Sequence, residues 1–178
     1  MVRVYQTLSG ATGILVLIVC LVGVAGPSSA ERSSPSPTTT CTAGEAAHTL
    51  GQKIYVPAYS HIYYQNQKRR YPLAVTLSIR NTDEQHSLKV TSTRYVGTEG
   101  QILKEYVETP IHLGPLASIE FFVDEQDKSG GLGASFLVEW VAEQPVYGPV
   151  VEAVLVGTAG TQAISFVSTG RVLCHRTP

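Results

Sequence analysis

Five tyrosines, Tyr55, Tyr59, Tyr63, Tyr64 and Tyr71, fall within residues 54–71 together with His61, Lys68, Arg69 and Arg70. A tyrosine ring offers a flat apolar face and a polar tip, a combination enriched where partners bind. The cluster predicts a ligand or partner surface carried by Tyr59, His61, Tyr63 and Tyr64. A Tyr-rich edge strand followed by a solvated basic turn is the plainer reading of the same residues. Paired carboxylates could be drawn from Asp124, Asp127, Glu139 and Glu152. A small hydrolase working through Asp127 and Glu139 is therefore the competing function, and separation in space would decide it.

Other chemistries find less support. Nucleophilic catalysis lacks a Gly-x-Ser-x-Gly elbow. The histidines at 48, 61, 86, 112 and 175 have no ligand spacing and no cysteine cluster beside them, so no metal is expected. Met1 is the only methionine, which excludes a methionine-rich copper carrier. Ser129-Gly130-Gly131-Leu132-Gly133-Ala134-Ser135 looks like a phosphate loop, but such loops open a helix and bring a lysine. Here the loop leads into a segment of period two, so it reads as a connection needing positive φ or close backbone approach. No catalytic residue and no cofactor are expected.

These residues must be positioned by strands. Leu73, Val75, Leu77 and Ile79 alternate with Ala74, Thr76, Ser78 and Arg80, and the run ends at Asn81-Thr82-Asp83. The Asn and Asp side chains there can bond nearby backbone groups and fix the turn. Leu88–Val96 is a second strand whose change of phase predicts a bulge near Ser92. Gly97–Gly100 turns the chain into Ile102–Val107, and Ile119–Val123, Phe136–Trp140, Val150–Val156 and a last strand, Ile164–Val172, follow. Trp140, in phase with Phe136 and Val138, belongs in the core. Glu139 points the other way, as does Arg80 relative to its neighbours, which predicts a surface pair or a shared cleft between them. No helical period outlasts a turn or so. Seven to nine short strands with both faces occupied predict an all-β fold, an antiparallel β-sandwich of immunoglobulin-like type. A small closed barrel is the alternative.

The 178 residues carry a formal net charge of −1, which leaves no surplus to attract a phosphate backbone, so no nucleic-acid partner is expected. Residues 4–30 carry no charge and contain a dense apolar run, Ile14–Ala25. A short basic start, an apolar run and small residues at Ser28 and Ala30 predict a signal peptide over 1–30, cut before Glu31. The alternative is an uncleaved anchor, although the run is shorter than the roughly 20 residues that span a bilayer. Val19 before Cys20 departs from a lipobox. The mature chain is expected in the periplasm or outside the cell, touching the membrane only in transit. Residues 31–50, rich in Ser, Thr and Pro, predict a tether, and 51–178 the β domain. Cleavage leaves Cys41 and Cys174, an even count that reads in an oxidising compartment as a disulfide between the two ends.

Val56-Pro57-Ala58-Tyr59-Ser60-His61-Ile62-Tyr63, Thr76-Leu77-Ser78-Ile79-Arg80-Asn81-Thr82-Asp83 and Gly130-Gly131-Leu132-Gly133-Ala134-Ser135-Phe136-Leu137-Val138-Glu139-Trp140 stand in that order along the chain. Together with Ile164-Ser165-Phe166-Val167-Ser168 they resemble the bacterial family called domain of unknown function three-one-two-four, over roughly residues 51–173. Ser135 departs from the Asn expected there. The resemblance implies a secreted or envelope protein and brings no activity, substrate or cofactor. The leading expectation is a non-catalytic binding module that meets an envelope protein or glycan through Tyr59, His61, Tyr63, Tyr64, Arg80, Asn81, Asp83 and Glu139. A purely structural envelope component is a third reading.

Overall fold

The computed structural model describes residues 48–158 and 163–176. The expected signal segment, most of the expected tether and Cys41 lie outside the described residues. The described chain is all-β, with antiparallel pairing throughout and no helix. It has β1 (Thr49–Pro57), β2 (His61–Tyr64), β3 (Asn66–Pro72), β4 (Ala74–Arg80), β5 (Leu88–Val96) and β6 (Ile102–Glu105). These are followed by β7 (Ile111–Leu113), β8 (Ser118–Val123), β9 (Ser135–Val146), β10 (Val150–Gly157), β11 (Ile164–Thr169) and β12 (Arg171–Arg176). One sheet runs β12-β1-β9-β5-β6, with β7 also on β5; a second runs β11-β10-β4-β8; β2 and β3 pair only with each other.

The period of two in the sequence is the period of burial. Val75, Leu77 and Ile79 of β4 are fully buried while Thr76 and Ser78 are half-buried and Arg80 exposed. Phe136, Val138 and Trp140 of β9 point inward from the other sheet, and with Ile54, Val56, Val90 and Leu155 they form one apolar core. Each such side chain contributes about 1.5–3 kcal/mol by leaving water. The bulge in β5 is present, because its pairing with β9 shifts between Val90 and Ser92.

Four expectations are corrected. The described residues hold twelve strands rather than seven to nine, the β2–β3 hairpin and the short β7 being among the additions. The tether does not reach residue 50, because β1 starts at Thr49, whose Oγ1 donates to the Arg176 carbonyl at 2.9 Å. Lys68, Arg69 and Arg70 stand on strand β3 rather than in a turn; the turn is at Gln65, with φ of 58°. The last strand is two. At Gly170 the chain passes from one sheet to the other, and a methyl group there would come within 2.7 Å of the Val151 carbonyl oxygen and 2.8 Å of Ile54 Cγ2.

The Gly-rich loop ends in β9, as its period-two continuation requires. Gly131 has φ of 75°, and a methyl group on Gly130 would strike the Tyr95 hydroxyl. That hydroxyl is buried without a hydrogen-bond partner, and desolvation pushes its pKa up to about 12. Tyr95→Phe removes an orphaned polar group while keeping the ring, so stability should hold within about 1 kcal/mol or rise. A shift in the urea midpoint checks this, and a loss well beyond that figure would show that the hydroxyl has a stabilising role.

Candidate functional site

The Tyr-rich segment divides between core and surface. Tyr59 is half-buried, its ring 6.2 Å from that of Phe166, and it fixes the root of the hairpin to β11. Tyr63 and Tyr64 are 39% and 42% exposed, too large a fraction for core residues. Tyr64 stands edge-on to Tyr71 at 6.0 Å, and the Arg70 guanidinium lies 5.9 Å from the centre of the Tyr63 ring. Lys68, Arg69, Arg70 and Lys128 are exposed. Arg69 donates to Gln65 Oε1 at 2.7 Å, whereas Lys68, Arg70 and Lys128 form no ion pair among the described residues.

His61 is buried beneath this surface, edge-on to Tyr63 at 5.4 Å. Ser60 Oγ donates its one hydrogen to the Gly131 carbonyl at 3.1 Å, so at the 3.2 Å contact with His61 Nδ1 it must accept. This network assigns the hydrogen of the neutral ring to Nδ1. Nε2 is then a bare acceptor, buried and without a partner. Burial, then the positive charges of Arg70 and Lys128, hold the His61 pKa below its ordinary value. Lys128 escaped sequence reasoning because it stands on a separate loop, and Ser60, although adjacent to His61, because its role is set by the distant Gly131 carbonyl that takes its hydrogen.

The remaining expected residues separate into structural roles. Asn81 is buried and its Nδ2 donates to the carbonyls of His86 at 2.8 Å, Gly114 at 2.9 Å and Leu113 at 3.4 Å. Its Oδ1 accepts from the Asp83 N–H at 3.0 Å. Asp83 Oδ1 accepts from the N–H groups of Gln85 and His86 at 2.9 and 2.8 Å. These two side chains fix the turn after β4, as their types predict, and are not displayed for a ligand. The expected pairing of Arg80 with Glu139 is wrong. Arg80 pairs with Glu152 at 3.0 Å on one sheet, and Glu139 pairs with Arg94 and, at 3.3 Å, with Lys53 on the other. β4 and β9 each turn their polar positions away from the shared core, which places the two charges on opposite outer faces.

The Gln85 N–H is the largest cause holding the Asp83 carboxyl below its ordinary value, with the His86 and Tyr147 N–H groups adding to it against an opposing effect of burial. A depressed folded-state pKa stabilises above the unfolded value and is lost as pH falls through the folded one. Asp83→Asn should therefore flatten the acid limb of stability below the ordinary value of 3.8. Thermal midpoints from neutral pH to about pH 2 check this, and parallel profiles for variant and wild type would contradict it.

The acids weighed for hydrolysis are spread over both sheets and a loop. Glu139 and Glu152 lie on different sheets, engaged by cations, while Asp124 and Asp127 accept from Gln126 and Ser129 N–H groups in the loop after β8. Among the described residues no three His, Cys, Asp or Glu side chains are grouped to hold a metal ion.

Residues 51–173, from β1 into β12, match the family described as a protein of unknown function, DUF3124. The chain belongs to the DUF3124 family. No curated protein and no solved structure matches it. In this DUF3124 domain the matched span includes both sheets, the β2–β3 hairpin and the Gly-rich loop under His61.

Proposed function

We propose that this DUF3124 protein is an exported, non-catalytic binding module of the bacterial envelope, which meets an envelope protein or glycan through its β2–β3 hairpin. One observation carries the reading. The hairpin is a two-stranded sheet of its own, outside both larger sheets, and it holds Tyr63 and Tyr64 exposed beside Lys68 and Arg70, which form no ion pair among the described residues. Such a ribbon gains little stability by itself. Aromatic rings exposed on it are better explained by recognition than by folding. The two sheets around one core favour a sandwich of the immunoglobulin-like kind as its support.

Export is supported by the uncharged, apolar segment before residue 31. With it goes a Cys41–Cys174 disulfide, for which Cys174 is placed on β12, buried beside β1. Protein from the oxidising compartment should show no free thiol after unfolding and two after reduction. Two free thiols before reduction would dismiss the bond.

The binding reading is tested by retaining solubilised envelope material on immobilised protein and repeating with Tyr63→Ala/Tyr64→Ala. Both side chains are exposed, so the variant should fold. Loss of retained material is expected, and identical retention would overturn the hairpin as the binding surface.

A further inference from the structure

The hairpin has unbalanced charge on a chain that is otherwise near neutral. Arg70 of β3 and Lys128 of the loop before β9 both act on His61, and neither has an acidic partner among the described residues. The nearest acid in sequence, Asp127, has its Oδ1 engaged by the N–H and hydroxyl of Ser129. Beneath them the His61 ring is 7% exposed, with its Nε2 buried and unpartnered. An orphaned buried polar atom costs about 1–3 kcal/mol, and this one lies beneath two cations that have no acidic partner among the described residues.

We propose that the face of the hairpin formed by His61, Tyr63, Arg70 and Lys128 binds an acidic saccharide, its carboxylate or phosphate held by Arg70 and Lys128 and its ring laid on Tyr63. The inference rests on the hairpin being the binding surface. Two cations without an acidic partner among the described residues fit an acid, and an exposed tyrosine ring fits the flat C–H face of a sugar. An extended acidic peptide would dock by adding a strand to a sheet edge. The hairpin edge suits that poorly, because β2 has only four residues and its register with β3 breaks between Tyr63 and Tyr64. The bound acid offsets the repulsion that Arg70 and Lys128 exert on His61, while burial, the larger cause, continues to hold the pKa of the ring down. The groups facing the ring are Ser60, Tyr63, Arg70 and Lys128, and none of them is acidic.

The experiment is calorimetric titration of the purified protein with oligogalacturonate, a phosphorylated oligosaccharide, a neutral cello-oligosaccharide and oligoglutamate. At least one acidic saccharide should bind, about tenfold or more tighter than the neutral sugar and oligoglutamate. Arg70→Ala and Lys128→Ala, both surface changes, should each weaken that binding about fivefold or more. Comparison of the carboxylated with the phosphorylated sugar identifies the acid. Oligoglutamate binding as tightly as the sugars would turn the site over to acidic peptides. Equal binding of neutral sugar, or indifference to both substitutions, would also overturn the proposal. If Tyr63→Ala/Tyr64→Ala abolishes envelope retention while no acidic saccharide binds, the hairpin remains the binding surface and the acidic saccharide is excluded.

Discussion

Asn81→Ala should cost about 3 kcal/mol or more, because it strips partners from several buried backbone groups at once. The side chain donates to three carbonyls, those of His86, Leu113 and Gly114, and accepts from the Asp83 N–H. It joins the turn after β4 to the chain beyond β7, two segments far apart in sequence, and its own N–H bonds the Ala117 carbonyl at 2.9 Å. A single lost hydrogen bond is worth about 1 kcal/mol net, but a stranded buried group costs its full desolvation. Water entering the site could satisfy some carbonyls, which keeps the figure below the sum of four separate losses. Asn81→Asp is the sharper variant. It preserves size and Oδ1 but sets a carboxylate oxygen against three carbonyl oxygens, so it should be at least as destabilising as Ala near neutral pH and less so in acid. Urea midpoints for both variants decide it, since a domain of this size is stabilised by only about 5–15 kcal/mol. Losses under about 1 kcal/mol would mean that the turn holds without the side chain.

The strands were legible in the sequence where one face is buried and the other is not. β4, β8 and the first half of β9 show that alternation directly, and the bulge in β5 showed as a break in it. The β2–β3 hairpin was illegible as a hairpin because both faces of its tip meet solvent, so no period marks it; composition flagged it instead. β11 and β12 read as one strand because Gly170, which moves the chain between sheets, interrupts the alternation without any change in residue type around it. Local site chemistry was legible as well. Asn81 and Asp83 are turn residues bonding backbone two or three positions on, a range that sequence spacing describes. Partners across sheets are a different matter. Arg80 and Glu139 were matched on charge and phase alone, yet phase says only that a side chain points away from the core. In a two-sheet fold there are two such directions, and sheet membership, which no local pattern encodes, assigns these residues to opposite ones.

Trp140→Ala should be among the most damaging substitutions, costing about 3–5 kcal/mol through lost burial and the cavity left behind. The indole is 1% exposed, on a strand paired on one side with β1 and on the other with β5, so little around it can collapse to fill the space. Its Nε1 also donates to Gln52 Oε1 at 3.3 Å, and Gln52 Nε2 meets His175 Nδ1 at 3.3 Å, a buried polar chain linking β9, β1 and β12. Size and hydrogen bonding thus compete as explanations, and Trp140→Phe separates them. Phe keeps most of the apolar contact but leaves Gln52 Oε1 without its donor. A bond this long contributes about 1 kcal/mol, against several for the ring. Trp140→Phe should therefore lose less than half of what Trp140→Ala loses, with Gln52→Leu in the Phe background recovering part of it by removing the stranded amide. Equal losses for Phe and Ala in chemical denaturation would assign the stability to the polar chain and make Gln52, rather than the indole ring, the anchor of the β1 and β9 pairing.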